Sequence, residues 1–130
     1  MIAKLIWANF SVKDAMRTRK FYTQLGFTPN GPNNDPKLAS FLFGDDDFVI
    51  HFFQQGSQID EYLTSGSKTS EIIFTLSAET EDEVNEFAGK VKEAGGDIFQ
   101  KVRRDENNYY GFAFADPDGH KFNVLLMDNM

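Results

Sequence analysis

Glu71-Ile-Ile-Phe-Thr-Leu-Ser-Ala-Glu-Thr80-Glu-Asp-Glu83-Val84-Asn-Glu-Phe87-Ala88-Gly-Lys-Val91-Lys-Glu-Ala-Gly95-Gly96 is the stretch on which the fold turns. Its first seven residues alternate. Ile72, Phe74 and Leu76 share one face, and Glu71, Ile73 and Thr75 the other; a period of two is a strand. Thr80 with Glu83 has the spacing of a capping box, in which each side chain serves a backbone N–H left free at a helix start. Val84, Phe87, Ala88 and Val91 then fall at i, i+3, i+4 and i+7, the apolar stripe of an amphipathic helix over about 80–94. Gly95-Gly96 stops it. Asp97 to Val102 and Tyr110 to Ala115 read as strands across the polar loop Arg103 to Asn108. Asp116-Pro117-Asp118-Gly119 has type I turn chemistry, and His120 to Met127 closes the half.

Working outward, the first half has the same order. Lys4 to Val12 alternates, with Ile6, Ala8, Phe10 and Val12 opposite Leu5, Trp7, Asn9 and Ser11. Asp14 caps a helix over about 14–25, with Ala15, Thr18, Tyr22 and Leu25 on its apolar side and Gly26 as the stop. Pro29 to Pro36 is a loop rich in breakers. Leu38 to Phe43 and Phe48 to Phe53 form a hairpin across Gly44-Asp-Asp-Asp47. Gln54 to Thr69 is a connector with a short helical turn around Ile59 to Leu63. The order strand, helix, three strands is thus written twice at an offset of about seventy residues, as an internal duplication would write it. We expect an α+β fold: one domain (1–130) of two βαβββ modules, about 1–54 and 70–128, joined by the connector 55–69. Neither module has enough core to stand alone, so the two are expected to pair into a curved mixed-sheet cradle.

Composition narrows the function. The 130 residues carry 20 Asp and Glu against 13 Lys and Arg, a net charge of −7. Such a surface repels phosphate backbones and anionic lipid, which argues against nucleic-acid and membrane partners. With no cysteine there is no disulfide scaffold, Cys-ligated zinc site or thiolate nucleophile. No apolar run approaches the ~20 residues of a membrane span and no signal peptide is visible, so a cytoplasmic location is expected. The 14 Phe suit either an aromatic-lined cavity or a Phe-rich core. Nothing has the pattern of a Ser-His-Asp triad, a phosphate loop or a dinucleotide fingerprint.

The run Asn9-Phe-Ser-Val-Lys-Asp14, then Phe21-Tyr22 and Leu25-Gly26-Phe27, resembles the opening of the vicinal oxygen chelate superfamily, which includes glyoxalase I, bleomycin-resistance proteins, fosfomycin-modifying enzymes and extradiol dioxygenases. Gly111-Phe-Ala-Phe-Ala-Asp-Pro-Asp-Gly-His120 is similar to that superfamily's last hairpin. The likeness spans Leu5 to Asp128 and is closest to the glyoxalase-related branch. It implies a concave sheet surface with metal ligands near the start of the first strand of each module and on the last strand. On that surface alternation places Trp7, Asn9 and Ser11, then Val49, His51 and Phe53, then Glu71, Ile73 and Thr75, and finally Asn123, Leu125 and Met127. The ligand positions implied by the resemblance fall on Trp7, Glu71 and Asn123. Trp7 cannot ligate, and Asn123 offers a neutral carbonyl where a carboxylate is usual. No cofactor is expected, a divalent metal being the alternative.

Two functions follow from the resemblance. One is a glyoxalase-related enzyme, of lyase or dioxygenase type, acting on a small organic molecule without the usual metal. There Glu71 or His51 would handle the proton, Asn9 and Asn123 would bind a polar oxygen, and Trp7 and Phe53 would supply stacking walls. Thr75 and Tyr110, the latter in a rim pair Tyr109-Tyr110 that could close over a flat ligand, would add ligand contacts. The other is a bleomycin-resistance-like protein that sequesters an aromatic or cationic molecule in the same cradle. A homodimer is expected in either case. His120 reads as a hairpin residue satisfying the turn carboxylates, and Asp45-Asp46-Asp47 as a solvated turn.

Overall fold

The computed structural model describes residues 1–32, 34–63 and 72–127. Its elements are β1 (Ala8–Val12), α1 (Ala15–Gln24), β2 (Thr28–Pro29), β3 (Leu38–Phe43), β4 (Phe48–Gln54), a 3-10 turn (Gln58–Glu61), β5 (Ile73–Ala78), α2 (Glu81–Ala94), β6 (Asp97–Arg104), β7 (Tyr110–Ala115) and β8 (Lys121–Leu126). The chain divides into two compact units, Met1–Ser67 and Lys68–Met130. Each holds one four-stranded mixed sheet, ordered β1-β4-β3-β2 in the first and β5-β8-β7-β6 in the second. In both, the first strand runs parallel to the last, and the remaining pairs are antiparallel. The duplicated βαβββ order is therefore a duplicated topology.

The helix ends show how closely the two copies correspond. Asp14 accepts from the N–H groups of Met16 and Arg17 at 3.0 and 3.2 Å, and Thr80 Oγ1 accepts from Glu83 N at 3.1 Å. The reciprocal arm differs from a strict capping box, since Glu83 Oε1 accepts from Glu79 N, one residue before the cap. At the other end Phe27 N donates to Tyr22 O and Gly96 N to Val91 O, while Gly26 N donates to Thr23 O and Gly95 N to Lys92 O. That is the same Schellman closure twice, with Gly26 and Gly95 at φ +95 and +94.

Each helix covers one face of its own sheet. Tyr22 of α1, fully buried, stacks on Phe52 at 4.7 Å and meets Phe41 and Phe43 edgewise or tilted. In the second unit Phe114 stacks on Phe122 at 5.3 Å and 9°, with Phe87 of α2 at 6.0 Å and Val84, Ala88 and Val91 buried around them. Phe21, Phe41, Phe43, Phe52, Phe112, Phe114 and Phe122 are all buried, so the high Phe content is spent mainly on these two cores. Because a strand alternates, filling one face with Ile50 and Phe52 leaves Val49, His51 and Phe53 on the other. The sheet face without a helix is where a site can form.

Four expectations change. Arg103 and Arg104, read as the start of a polar loop, belong to β6 (Asp97–Arg104). The first strand begins at Ala8, not Lys4. Its only neighbour is β4, which starts at Phe48, and Ala8 lies opposite Ile50, so the chain before Ile6 has no ladder partner in that sheet. Ile2, Leu5 and Ile6 are exposed accordingly. Pro29, read as the start of a loop, joins Thr28 in the two-residue edge strand β2, a position where the missing proline N–H breaks no ladder. The fifth strand starts at Ile73; Glu71, which the alternation put at its head, lies outside the described residues.

Candidate functional site

In the first unit the open face of the sheet and the connector enclose a cleft of about 660 Å³, lined by Trp7, Asn9, His51, Phe53, Gln58, Ile59, Tyr62 and Leu63. Asn9 and His51 are direct neighbours across the parallel β1–β4 ladder. Trp7 meets His51 edge-on, with ring centres 6.5 Å apart at 79°, and Phe53 lies 5.6 Å from the same imidazole. The outer wall comes from the connector. Ile59 is buried as its anchor, Asp60 Oδ2 accepts from Gly56 N at 2.9 Å, and Ser57 Oγ donates to Gln54 O at 2.6 Å. Gln54 in turn accepts from Ala15 N at 3.0 Å, tying connector, β4 and α1 together.

His51 is the chemical centre of this cleft. Its Nδ1 is buried with no hydrogen-bond partner among the described residues. Burial lowers its pKa below the ordinary 6.5, because removing water disfavours the imidazolium. At neutral pH the ring is uncharged, with one nitrogen able to donate and the other to accept. A buried polar atom without a partner costs free energy, which a ligand can recover by bonding to it.

The second unit shows a related arrangement. Thr75 and Asn123 are neighbours across the parallel β5–β8 ladder, as Asn9 and His51 are across β1–β4. Thr75 Oγ1 donates to Asn123 Oδ1 at 2.7 Å, which leaves the Asn123 amide N–H groups to point elsewhere. Asn123 lines a small cleft with Gln100, Lys101, Arg103, Asp105, Tyr109, Gly111, Phe112 and Leu125. Tyr110, expected at the rim, is turned to the helix side instead. Its hydroxyl donates to Asn85 Oδ1 of α2 at 2.7 Å, and Arg104 lies over its ring at 5.6 Å. It shares that face with Phe112 and Phe114 by alternation, so the tyrosine on the open side is Tyr109.

His120 is a structural residue. Buried with Asp116, it holds Asp116 Oδ2 at 2.8 Å through Nδ1, and its backbone N–H donates to Asp116 Oδ1 at 2.9 Å. Asp118 N donates to the same oxygen, so one carboxylate ties down the whole turn.

The family model of the Glyoxalase/Bleomycin resistance protein/Dioxygenase superfamily matches residues 4–124. The chain belongs to that superfamily. Solved structures agree with the glyoxalase-type fold. The hypothetical protein SA1046 from S. aureus is 28% identical, with a TM-score of 0.84 over 97% of this chain and 95% of that one. A glyoxalase-related enzyme from Fulvimarina pelagi is 19% identical, with a TM-score of 0.79 over 95% and 88%. The fosfomycin resistance protein FosX from Mesorhizobium loti is 21% identical, with a TM-score of 0.67 over 99% and 96%. No curated protein matches the chain.

The superfamily resemblance ties a divalent metal to the positions of Trp7, Glu71 and Asn123, and Glu71 lies outside the described residues. Of the positions that the superfamily resemblance ties to ligands, Trp7 has no lone pair to offer and Asn123 is a neutral amide already bonded to Thr75. Among the described residues no three of His, Cys, Asp and Glu come together to hold an ion. No helix among them is long and apolar enough to cross a membrane.

The sequence reading puts Trp7, Asn9, His51, Glu71 and Asn123 on one concave pocket. Trp7, Asn9 and His51 line one cleft of the first unit with Phe53, Asn123 lines a separate cleft of the second unit, and Glu71 lies outside the described residues. The same reading paired Thr75 with Asn123 on one face and they are hydrogen-bonded. It did not assign Gln58, Ile59, Tyr62 and Leu63 to the site. The one signal was the short helical turn expected around Ile59 to Leu63, whose docking on β1 and β4 no local pattern encodes.

Proposed function

We propose that this glyoxalase-superfamily chain binds a small aromatic molecule in the cleft of its first unit, and does so without a metal ion. The observation that carries this reading is the unpartnered, buried His51 Nδ1 held among Trp7, Phe53 and Tyr62. Flat rings on several sides suit a flat ligand, since aromatic pairs gain about 0.5–1.5 kcal/mol beyond their buried area. Neutral His51, with Asn9 and Gln58 beside it, supplies the few polar contacts that orient such a ligand.

Within this reading the chain acts as a glyoxalase-related enzyme when its ligand carries a proton that His51 can reach, and as a sequestering protein when it does not. A neutral imidazole is the form that accepts a proton, so the lowered pKa supports the catalytic version. We extend the proposal to a homodimer, supported by the exposed Ile2, Leu5 and Ile6.

Trp7 is the only tryptophan in the chain, so its emission reports on the cleft without a label. A panel of small aromatic compounds is screened by Trp7 fluorescence, with and without a chelator. The expected result is saturable quenching by at least one compound class, unchanged by chelator and lost in His51→Ala. Quenching that requires added metal, or that survives His51→Ala at full affinity, would refute the proposal.

A further inference from the structure

The strongest feature outside the aromatic cleft is a basic one, on a chain whose net charge is −7. On the face of the second sheet turned away from α2, Lys101 and Arg103 of β6 line a cleft of about 70 Å³ together with Gln100, Tyr109 and Asn123. Two irregularities in the β6–β7 register, between Ile98 and Gln100 and between Gln100 and Arg103, bring Gln100, opposite Ala113, onto the same side as Arg103, opposite Gly111. A regular strand would have sent Lys101 and Arg103 to one face and Gln100 to the other. Gly111, opposite Arg103, puts no side chain into the space between them.

The cations are available. Neither the Lys101 nor the Arg103 side chain has an ion-pair or hydrogen-bond partner among the described residues, in contrast to Arg104, which reaches Asn108 O at 2.8 Å and Glu81 at 4.0 Å on the other face. The carboxylate among the lining residues is Asp105, whose Oδ1 accepts from the N–H groups of Asn107 and Tyr109, both at 2.9 Å, and which leaves the two cations in excess of it by one charge. Asn123 completes the set. With its oxygen held by Thr75, its amide N–H groups are the end free to donate. A planar guanidinium fork, an ammonium and an amide donor converging on one small space are complementary to an oxyanion.

We propose that this cleft binds the tetrahedral oxyanion group of a small molecule: a phosphate, phosphonate or sulfate. Its volume is that of about two water molecules at ~30 Å³ each, which admits such a headgroup and leaves the rest of the ligand outside. The inference does not rest on the aromatic cleft of the first unit, and either can fail alone.

The test is an amide-resolved NMR titration with inorganic phosphate at constant ionic strength, against acetate and chloride. The expected result is saturable shifts confined to residues 100–103, Gly111 and the Asn123 side-chain amide, with acetate weaker. Arg103→Gln is expected to weaken phosphate binding about tenfold and Arg103→Lys about threefold, since the lysine keeps the charge and loses the fork. Lys90→Gln, on the exposed side of α2, is expected to leave it unchanged. Arg103 is exposed on an edge strand, so its replacement leaves the core intact, and amide shifts away from the cleft verify this. Shifts that do not saturate, that chloride reproduces, or that persist within twofold in Arg103→Gln would overturn the site. Acetate binding as tightly as phosphate would overturn its tetrahedral assignment.

Discussion

A matched pair of glycine substitutions is expected to move stability in opposite directions. At Gly111 a β-carbon would stand 1.9 Å from the carbonyl oxygen of Val124 and 3.0 Å from Leu125 Cδ2. Reaching even a 3.0 Å contact requires β7 and β8 to part by more than an ångström, and the obstacle is backbone that cannot rotate away. Gly111 lies opposite Leu125 in the β7–β8 ladder, so that movement strains the pairing of the two central strands of the second sheet. Overpacking costs about 1–3 kcal/mol and a lost ladder bond about 1 kcal/mol more, so Gly111→Ala is expected to cost about 3 kcal/mol. For a chain of this length that is a fall in Tm of about 12 °C. At Gly89, exposed on α2, a β-carbon meets nothing within 4 Å. Gly89→Ala is expected to stabilise by about 0.5–1 kcal/mol, because alanine loses less backbone freedom in a helix. Both are read by thermal denaturation followed by circular dichroism. A Gly111→Ala protein melting within 2 °C of its parent, by a criterion of ~0.5 kcal/mol, would refute the steric argument.

Three further outcomes are expected. Trp7→Ala is expected to weaken an aromatic ligand of the first cleft about tenfold, measured by calorimetry because the substitution removes the fluorophore, and equal affinity would show that Trp7 is not a wall. His51 is expected to titrate below 6.5 in the folded chain, followed through its imidazole C–H resonance and assigned with His51→Gln, His120 being the only other histidine. The unfolded chain then takes up that proton first, so the His51 contribution to stability is intact above pH 6.5 and declines as pH falls below it; a midpoint above 6.5 contradicts this. Thr80→Ala removes the acceptor for Glu83 N and is expected to cost about 1 kcal/mol in chemical denaturation, a cost absent from Thr80→Ser.

Much of the fold was legible because it is encoded locally. The α2 stripe, the Asp14 and Thr80 caps, the Gly26 and Gly95 stops and the two hairpins each depend on residues only a few positions apart. Alternation carried the same information to the site. Once Ile50 and Phe52 belong to the core, His51 and Phe53 must face the other way, and Asn9 joins them through the parallel register. Tyr110 departs from its expected place at the rim: closeness to a loop suggests the rim, whereas its parity with Phe112 and Phe114 puts it on the helix side.

The sequence by itself determined which residues lie on each strand face, where the helices start and stop, and that the order strand, helix, three strands is written twice. Only the tertiary structure decided what stands opposite those faces. The connector's Ile59 and Tyr62 become a wall of the His51 cleft because a 3-10 turn docks on β1 and β4. Gln100 joins Lys101 and Arg103 because β6 slips register against β7. The physical reason is the same in both cases. Periodicity records how a segment divides between inside and outside, whereas docking and register depend on how distant backbones meet, and that is fixed by packing and ladder hydrogen bonds among residues far apart in the chain.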